Sequence, residues 1–219
     1  MIQADTLTFL KNLQKNNNKD WFDAHRDTYE KAKSNFKDVE QDLILGLSKF
    51  DPAVKHQEAK NCMFRINRDV RFSKDKSPYK NNMGASISPG GKKSFTAGYY
   101  FHLQPGASFL AGGMWQPEPT YLNAIRQEID YNPNEFEKIL KARLFKEYFG
   151  GLSEEDKLKA VPKGYDKAHP QIDLLKHKSF IVVHDLKDKE VLSKDFQKHC
   201  LTVFKAMHPM CLFLRKACD

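Results

Sequence analysis

The residues between Phe64 and Lys80 are the ones whose types and spacing could do chemistry. Arg65, Arg68 and Arg71 recur at intervals of three, followed by Lys74, Lys76 and Lys80, with Asp69 and Asp75 among them. A guanidinium is a planar fork of donors that grips a carboxylate or phosphate through two parallel hydrogen bonds. An exposed Arg–Asp pair contributes only about 0 to 1 kcal/mol, so stability alone gives little reason to gather this many cations. The run points to a loop that binds an anion, with Arg65, Arg68, Arg71, Lys76, Tyr79 and Lys80 as ligand contacts and Asp69 orienting a guanidinium. On a regular strand three arginines at this spacing cannot all face one way. A turn near Asn67 resolves this and lets the guanidinium groups surround an oxyanion-sized space. A structural network that ties the loop to a sheet is the competing reading.

Outside this run the signals are sparser. His102 falls in a predicted strand beside an acid-free stretch, where an imidazole could act as general base or anion donor, or simply satisfy the sheet. Trp115 is either a ligand platform or a core anchor. The eight histidines contain no H-x-x-x-H or H-E-x-x-H, and Cys62, Cys200, Cys211 and Cys218 form no C-x-x-C, so neither a metal nor a cofactor is expected. Gly90-Gly91 and Gly112-Gly113 allow close backbone approach, but no G-x-S-x-G, G-x-G-x-x-G or P-loop is present.

The elements that must carry these residues follow from hydrophobic period. Leu7, Phe9, Leu10 and Leu13 predict a helix capped by Asp5, and Asn18 is placed to cap a turn around Trp21 and Phe22. Tyr29, Ala32, Phe36, Val39, Leu43, Leu47 and Phe50 mark a longer helix that Pro52 ends. The period then becomes two. Cys62, Phe64 and Ile66 predict a half-buried strand; Met83 to Ser88, Phe95 to Leu103 and Ser108 to Trp115 predict a meander, with Tyr100 opposite Ala111 and His102 opposite Phe109. Helices return from Pro119 through Ile129 and from Pro133 to a stop at Gly150-Gly151. Ser153 with Asp156 predicts a short helix, Ser179 to His184 a last strand, and Ser193 the start of a final helix that Pro209 bends or restarts. The pattern predicts one α+β domain over residues 1–219, an antiparallel sheet of meander plus C-terminal strand packed with N- and C-terminal helices.

Composition is that of a folded protein: 219 residues, 40% hydrophobic, 12% aromatic, mean hydropathy −0.66. No apolar run approaches the length of a membrane span, and the scattered cysteines suit reduced thiols in the cytoplasm. The net charge of +8 is concentrated. Residues 55–80 hold eight Lys or Arg against Glu58, Asp69 and Asp75, and no acidic residue occurs between Lys76 and Pro117. Such a field favours an anionic partner.

The run R-x-x-R-D-x-R-F-S-x-D-K-x-P-Y-K from Arg65 to Lys80 resembles the family catalogued as domain of unknown function 2461, a set of mainly bacterial proteins. Also similar to it are Asn17 to Phe22 (N-N-K-D-W-F), the Tyr100 to Trp115 hairpin ending in G-G-M-W before Pro117, and Asp173 to Phe180 (D-L-L-K-H-K-S-F). The resemblance implies a single domain and names no reaction. The leading expectation is a binder of a small phosphate- or carboxylate-bearing ligand, an enzyme or not, where the Arg65 to Lys80 loop meets the Tyr100 to Trp115 hairpin. Nucleic acid is the first alternative, since Phe72, Tyr79, Phe95 and Tyr99 lie among the basic residues. A protein-interaction or scaffold module with a structural arginine network is the second.

Overall fold

Apolar residues at helical spacing build the first layer of the computed structural model, which describes residues 1–219. Leu7, Phe9, Leu10 and Leu13 are the buried stripe of α1 (Ala4–Lys15), and Phe36, Val39, Leu43 and Leu47 belong to that of α3 (Arg26–Leu47). Between them Asn18 caps α2 (Lys19–Ala24), its side chain accepting from the Trp21 N–H at 2.9 Å. Asp5 does not cap α1. Gln3 holds that position and Asp5 lies in the first turn, where a carboxylate still suits the positive end of the helix.

Four strands follow the period-two segments: β1 (Met83–Ile87), β2 (Gly98–Leu103), β3 (Ser108–Met114) and β4 (Phe180–Leu186). They form one antiparallel sheet in sequence order, so the architecture is α+β, a meander extended by a C-terminal strand. The β2–β3 register pairs Tyr100 with Ala111 and His102 with Phe109, as the turn at Gln104 to Ala107 dictates. One face is roofed by α3 and by α10 (Phe196–Cys218). Phe101 reaches Phe36 and Phe196 with ring centroids 5.4 Å apart in both cases. Gly112 lets α10 come close, because a Cβ there would stand 2.1 Å from the Met207 sulfur. Alternation sends Tyr100, His102, Phe109 and Val183 to the opposite face, which no helix layer covers completely.

Four further expectations need correction. Residues Cys62 to Ile66 are not a strand: Cys62 closes α4 (Ala59–Cys62), and only isolated bridges, Met63 to Ala85 and Asn67 to Tyr79, continue outward. The chain there pairs with its own return, forming an irregular hairpin arm instead of a fifth strand. The helix from Pro133 breaks at Ala142 (φ −58°, ψ 138°) into α6 (Pro133–Lys141) and α7 (Arg143–Phe149). Phe136 and Phe145, both buried, would lie roughly 180° apart on one straight helix, and the break brings both inward. Ser153 to Asp156 is not helical. The Ser153 and Leu158 N–H groups donate instead to Ile181 O and Lys176 O at 2.9 and 2.8 Å, laying the segment along the outer edge of β4. The final helix starts at Phe196, and Pro209 sits inside it without ending it. The carbonyl deprived of a donor belongs to Lys205, an exposed residue that water can satisfy.

The remaining helices, α5 (Pro119–Tyr131), α8 (Ile172–Leu175) and α9 (Asp188–Val191), complete the helical side. A single buried cluster runs from Ile2 to Leu214, so the terminal helices and the sheet share one core.

Candidate functional site

The hairpin arm leaves the sheet beside β1. The Phe64 N–H donates to Gly84 O at 2.9 Å, Lys80 N–H to Ile66 O at 2.8 Å and Arg68 N–H to Pro78 O at 2.9 Å. Its inner side is fixed by Asn17, which accepts from the Tyr79 N–H at 3.1 Å and donates to Tyr79 O at 2.9 Å, and by the Tyr79 ring stacked on Phe22 with centroids 4.0 Å apart.

The three arginines do not converge on an open space. Arg68 donates to the Asp75 carboxylate, to Ser77 O at 3.1 Å and to Ser73 Oγ at 3.3 Å, clamping the two sides of the arm together. Asp75, bonded also by the Ser77 hydroxyl and N–H, has its pKa lowered to about 2, the Ser77 bonds leading and Arg68 adding to them. Arg71 grips Asp69 through Nε and Nη2 at 3.0 and 2.7 Å. The reason is proximity in sequence: partners two and seven residues apart close small loops at little entropic cost. Lys76 donates to Val70 O at 3.0 Å, and Tyr79 is buried. The internally unneutralised site expected at Arg68 and Arg71 is thus already neutralised.

Charge without a partner remains at the base of the arm. Arg65 and Lys80 make no ion pair and no side-chain hydrogen bond. Lys80 lies 5.5 Å from the centroid of the Phe64 ring. Its pKa is lowered, by partial burial first and by the Arg65 charge second.

Beside this cation pair lies an aromatic corner of the open sheet face, comprising Phe64, Tyr100, His102 and Phe109. Tyr100 meets Phe64 edge-on at 6.3 Å, and His102 stacks on Phe109 at 4.5 Å with planes 11° apart. Gly84 makes room, since a Cβ there would stand 2.5 Å from the Tyr100 hydroxyl. Gln104 Oε1, 3.0 Å from His102 Nε2, can only accept, so Nε2 carries the proton and Nδ1 accepts from the Tyr100 hydroxyl at 3.0 Å. Burial and then the Lys80 charge lower the His102 pKa, overcoming the opposing Gln104 bond, so the ring is neutral at pH 7. With both nitrogens engaged, His102 is a positioned sheet residue rather than a free base.

Trp115 is two-thirds exposed but stands past the other end of β3, about six residues and ~20 Å of strand from Phe109. The hairpin and the arm therefore meet only at the Tyr100–His102 end. Of the aromatics that suggested nucleic acid, Tyr79 and Tyr99 are core residues, while Phe72 and Phe95 are exposed. No three His, Cys, Asp or Glu side chains gather where they could hold a metal ion. A groove of about 540 Å³ between α1 and α3, lined by Trp21, His25 and polar side chains, contains none of the candidate residues.

Two buried polar features escaped the sequence reading. Asp51 accepts from Arg215 Nη1 at 3.0 and 2.9 Å and from the Tyr99 hydroxyl at 2.9 Å. That hydroxyl has one proton, so His208 Nδ1, 2.6 Å away, donates to it. Arg215 Nε donates to Ala97 O at 2.9 Å, and the whole lock joins β2, α10 and the turn after α3. Glu40 of α3 is fully buried with neither oxygen bonded, and burial raises its pKa to about 8. It lies close enough to Cys62 and Tyr100 to add to the upward shifts that burial gives both. A polar residue inside an apolar stripe was the available signal for Glu40; nothing local marks the partners of Asp51.

The family model described as "Conserved hypothetical protein (DUF2461)" matches residues 5–213. The chain belongs to that family. No curated protein and no solved structure matches it. In this DUF2461 chain the segments that carried the resemblance dock on one another, Asn17 and Phe22 on Tyr79. Arg126 holds Leu175 O and His177 O at 2.8 and 3.2 Å. Much of the DUF2461 signature is thus packing, and Arg65 with Lys80 is its unpaired remainder.

Proposed function

We propose that this DUF2461 protein acts as one domain that binds a phosphate-bearing ligand at the corner of the open sheet face, where Arg65 and Lys80 flank Phe64, Tyr100, His102 and Phe109. The observation that carries this is Lys80: an ammonium over the Phe64 ring, depressed by burial first and by the neighbouring Arg65 guanidinium second, with no carboxylate in hydrogen-bonding or ion-pairing distance of either cation, although Asp69 feels the Arg65 charge. Such a pair is held at a cost that a bound dianion offsets, since an opposite charge within hydrogen-bonding distance favours both cations. The aromatic rings beside it supply a flat apolar contact for the rest of the ligand. Asp69 and Asp75 belong to the arm and shape it.

Thermal unfolding with inorganic phosphate, nucleoside monophosphates and dicarboxylates tests the reading on the wild type, Arg65→Gln and Lys80→Gln. Phosphate-bearing compounds raise the wild-type Tm, and either substitution abolishes the rise. Equal Tm shifts in all three proteins remove the site. The pairing of Arg68 and Arg71 within the arm favours a second reading, an interaction module whose arginines are structural; it takes over if no anion stabilises the wild type.

A further inference from the structure

We infer that the ligand is a single-stranded nucleic acid lying across the open sheet face and along the hairpin arm to Phe72, an inference that rests on the phosphate site just proposed. Exposed aromatic rings and uncompensated charge coincide in this protein. Of the large exposed aromatics, Phe64, Phe72, Phe95 and Trp115 fall between residues 64 and 115, and only Tyr131 lies outside. The same stretch has no acidic residue from Lys76 to Pro117, and Asp69 and Asp75 before it are occupied by Arg71 and Arg68.

Phe72 is decisive. It is 94% exposed at the arm's tip, with the Arg71 guanidinium 5.7 Å from its ring centroid. The clamp of Arg68 on Asp75, Ser73 and Ser77 holds that tip in place, so the ring is presented and not merely loose. Phe72 lies at the closed end of the arm, beyond the Arg68 N–H to Pro78 O bond, whereas Lys80 lies at its base, bonded to Ile66 O, so the two mark opposite ends of the arm. A polymer with a phosphate and a flat ring at every repeat fits both ends. Bases stack on aromatic side chains without regard to sequence, while cations follow the backbone. A duplex hides its base faces and cannot use Phe72 in this way. An anionic membrane would meet the same charge, but the Tyr100, His102 and Gln104 hydrogen-bonded chain makes the sheet corner too polar for an acyl layer.

Fluorescence anisotropy with a labelled thymidine strand of about twelve residues, its duplex, and phosphatidylserine vesicles tests this on wild type, Phe72→Ala and Lys80→Gln. The strand binds tighter than duplex or vesicle, and log K falls by about 0.7 per phosphate neutralised as log salt rises. Phe72→Ala weakens strand binding roughly 5- to 100-fold, leaves Tm unchanged because the ring is almost wholly exposed and meets only the exposed Arg71 guanidinium, and leaves the phosphate-induced Tm shift intact. If phosphate stabilises the wild type through Lys80 but the strand binds no better than a mononucleotide, or Phe72→Ala binds it equally, this inference falls and the phosphate site stands. Preference for vesicles or duplex overturns it equally. Absence of both phosphate and strand binding overturns both.

Discussion

Glu40 shows how a single side chain can tie this fold to pH. Its carboxyl is neutral in the folded protein up to a pKa of about 8, whereas in the unfolded chain it ionises near its ordinary 4.5. Below 4.5 both states hold the proton and the stability contribution is complete. Between 4.5 and 8 only the unfolded state releases it, so each pH unit removes about 1.4 kcal/mol; above 8 the loss stops growing. Glu40→Met, which keeps the length without the charge, therefore gains several kcal/mol over wild type between pH 5 and pH 8, on the order of 3 to 4. Urea titrations at the two pH values check this, and parallel behaviour of the two proteins contradicts it. At the surface Arg71 is the opposite case. Paired with a residue two positions away and open to water, it contributes little to the fold, and Arg71→Lys leaves Tm unchanged.

At the scale of elements, the arm and the α10 lock divide the work. Arg68→Ala removes three of the side-chain bonds across the arm and leaves that of Lys76 to Val70 O, so limited trypsin digestion cuts faster after Arg71, Lys74 and Lys76 while global unfolding changes little. Unaltered cleavage shows that the Asn17 and Phe22 contacts suffice to hold the tip. Asp51→Ala leaves the largely buried Arg215 and His208 without their carboxylate, Arg215 keeping only Ala97 O and His208 only the Tyr99 hydroxyl, and costs about 3 to 5 kcal/mol. Tyr99→Phe, which removes one hydroxyl from the same lock, costs about 1 to 3 kcal/mol by chemical denaturation. These elements were unequally legible in the sequence. The meander and its register followed from alternation and a Gln-Pro-Gly-Ala turn, both local. The arm did not, because Phe64 and Ile66 alternate as a strand does, yet their partners are Gly84 and the arm's own return. The break at Ala142 was hidden for a related reason: it serves the burial of Phe136 and Phe145 against elements far away in sequence.

For the whole molecule, the charge asymmetry read from composition falls on the arm and the strands that follow it, and folding separates side chains that the sequence groups together. Arg65, Arg68 and Arg71 look equivalent in sequence, and only folding shows that Asp69 and Asp75 claim two of them while Arg65 is left beside Lys80. The aromatic corner was partly legible, since Tyr100 and His102 share a strand parity opposite to Tyr99, Phe101 and Leu103. Which parity faces the helices depends on α3 and α10 and was not. The central claim, that an unpaired cation pair at this corner receives a phosphate, is tested most directly by nitrogen NMR of the Lys80 ammonium. Without ligand the group titrates below the ordinary lysine value of 10.5, depressed by burial and Arg65. Saturating phosphate raises that pKa, while Lys216, an exposed lysine of α10 paired with Glu128, does not move. A Lys80 titration that phosphate leaves unchanged contradicts the account.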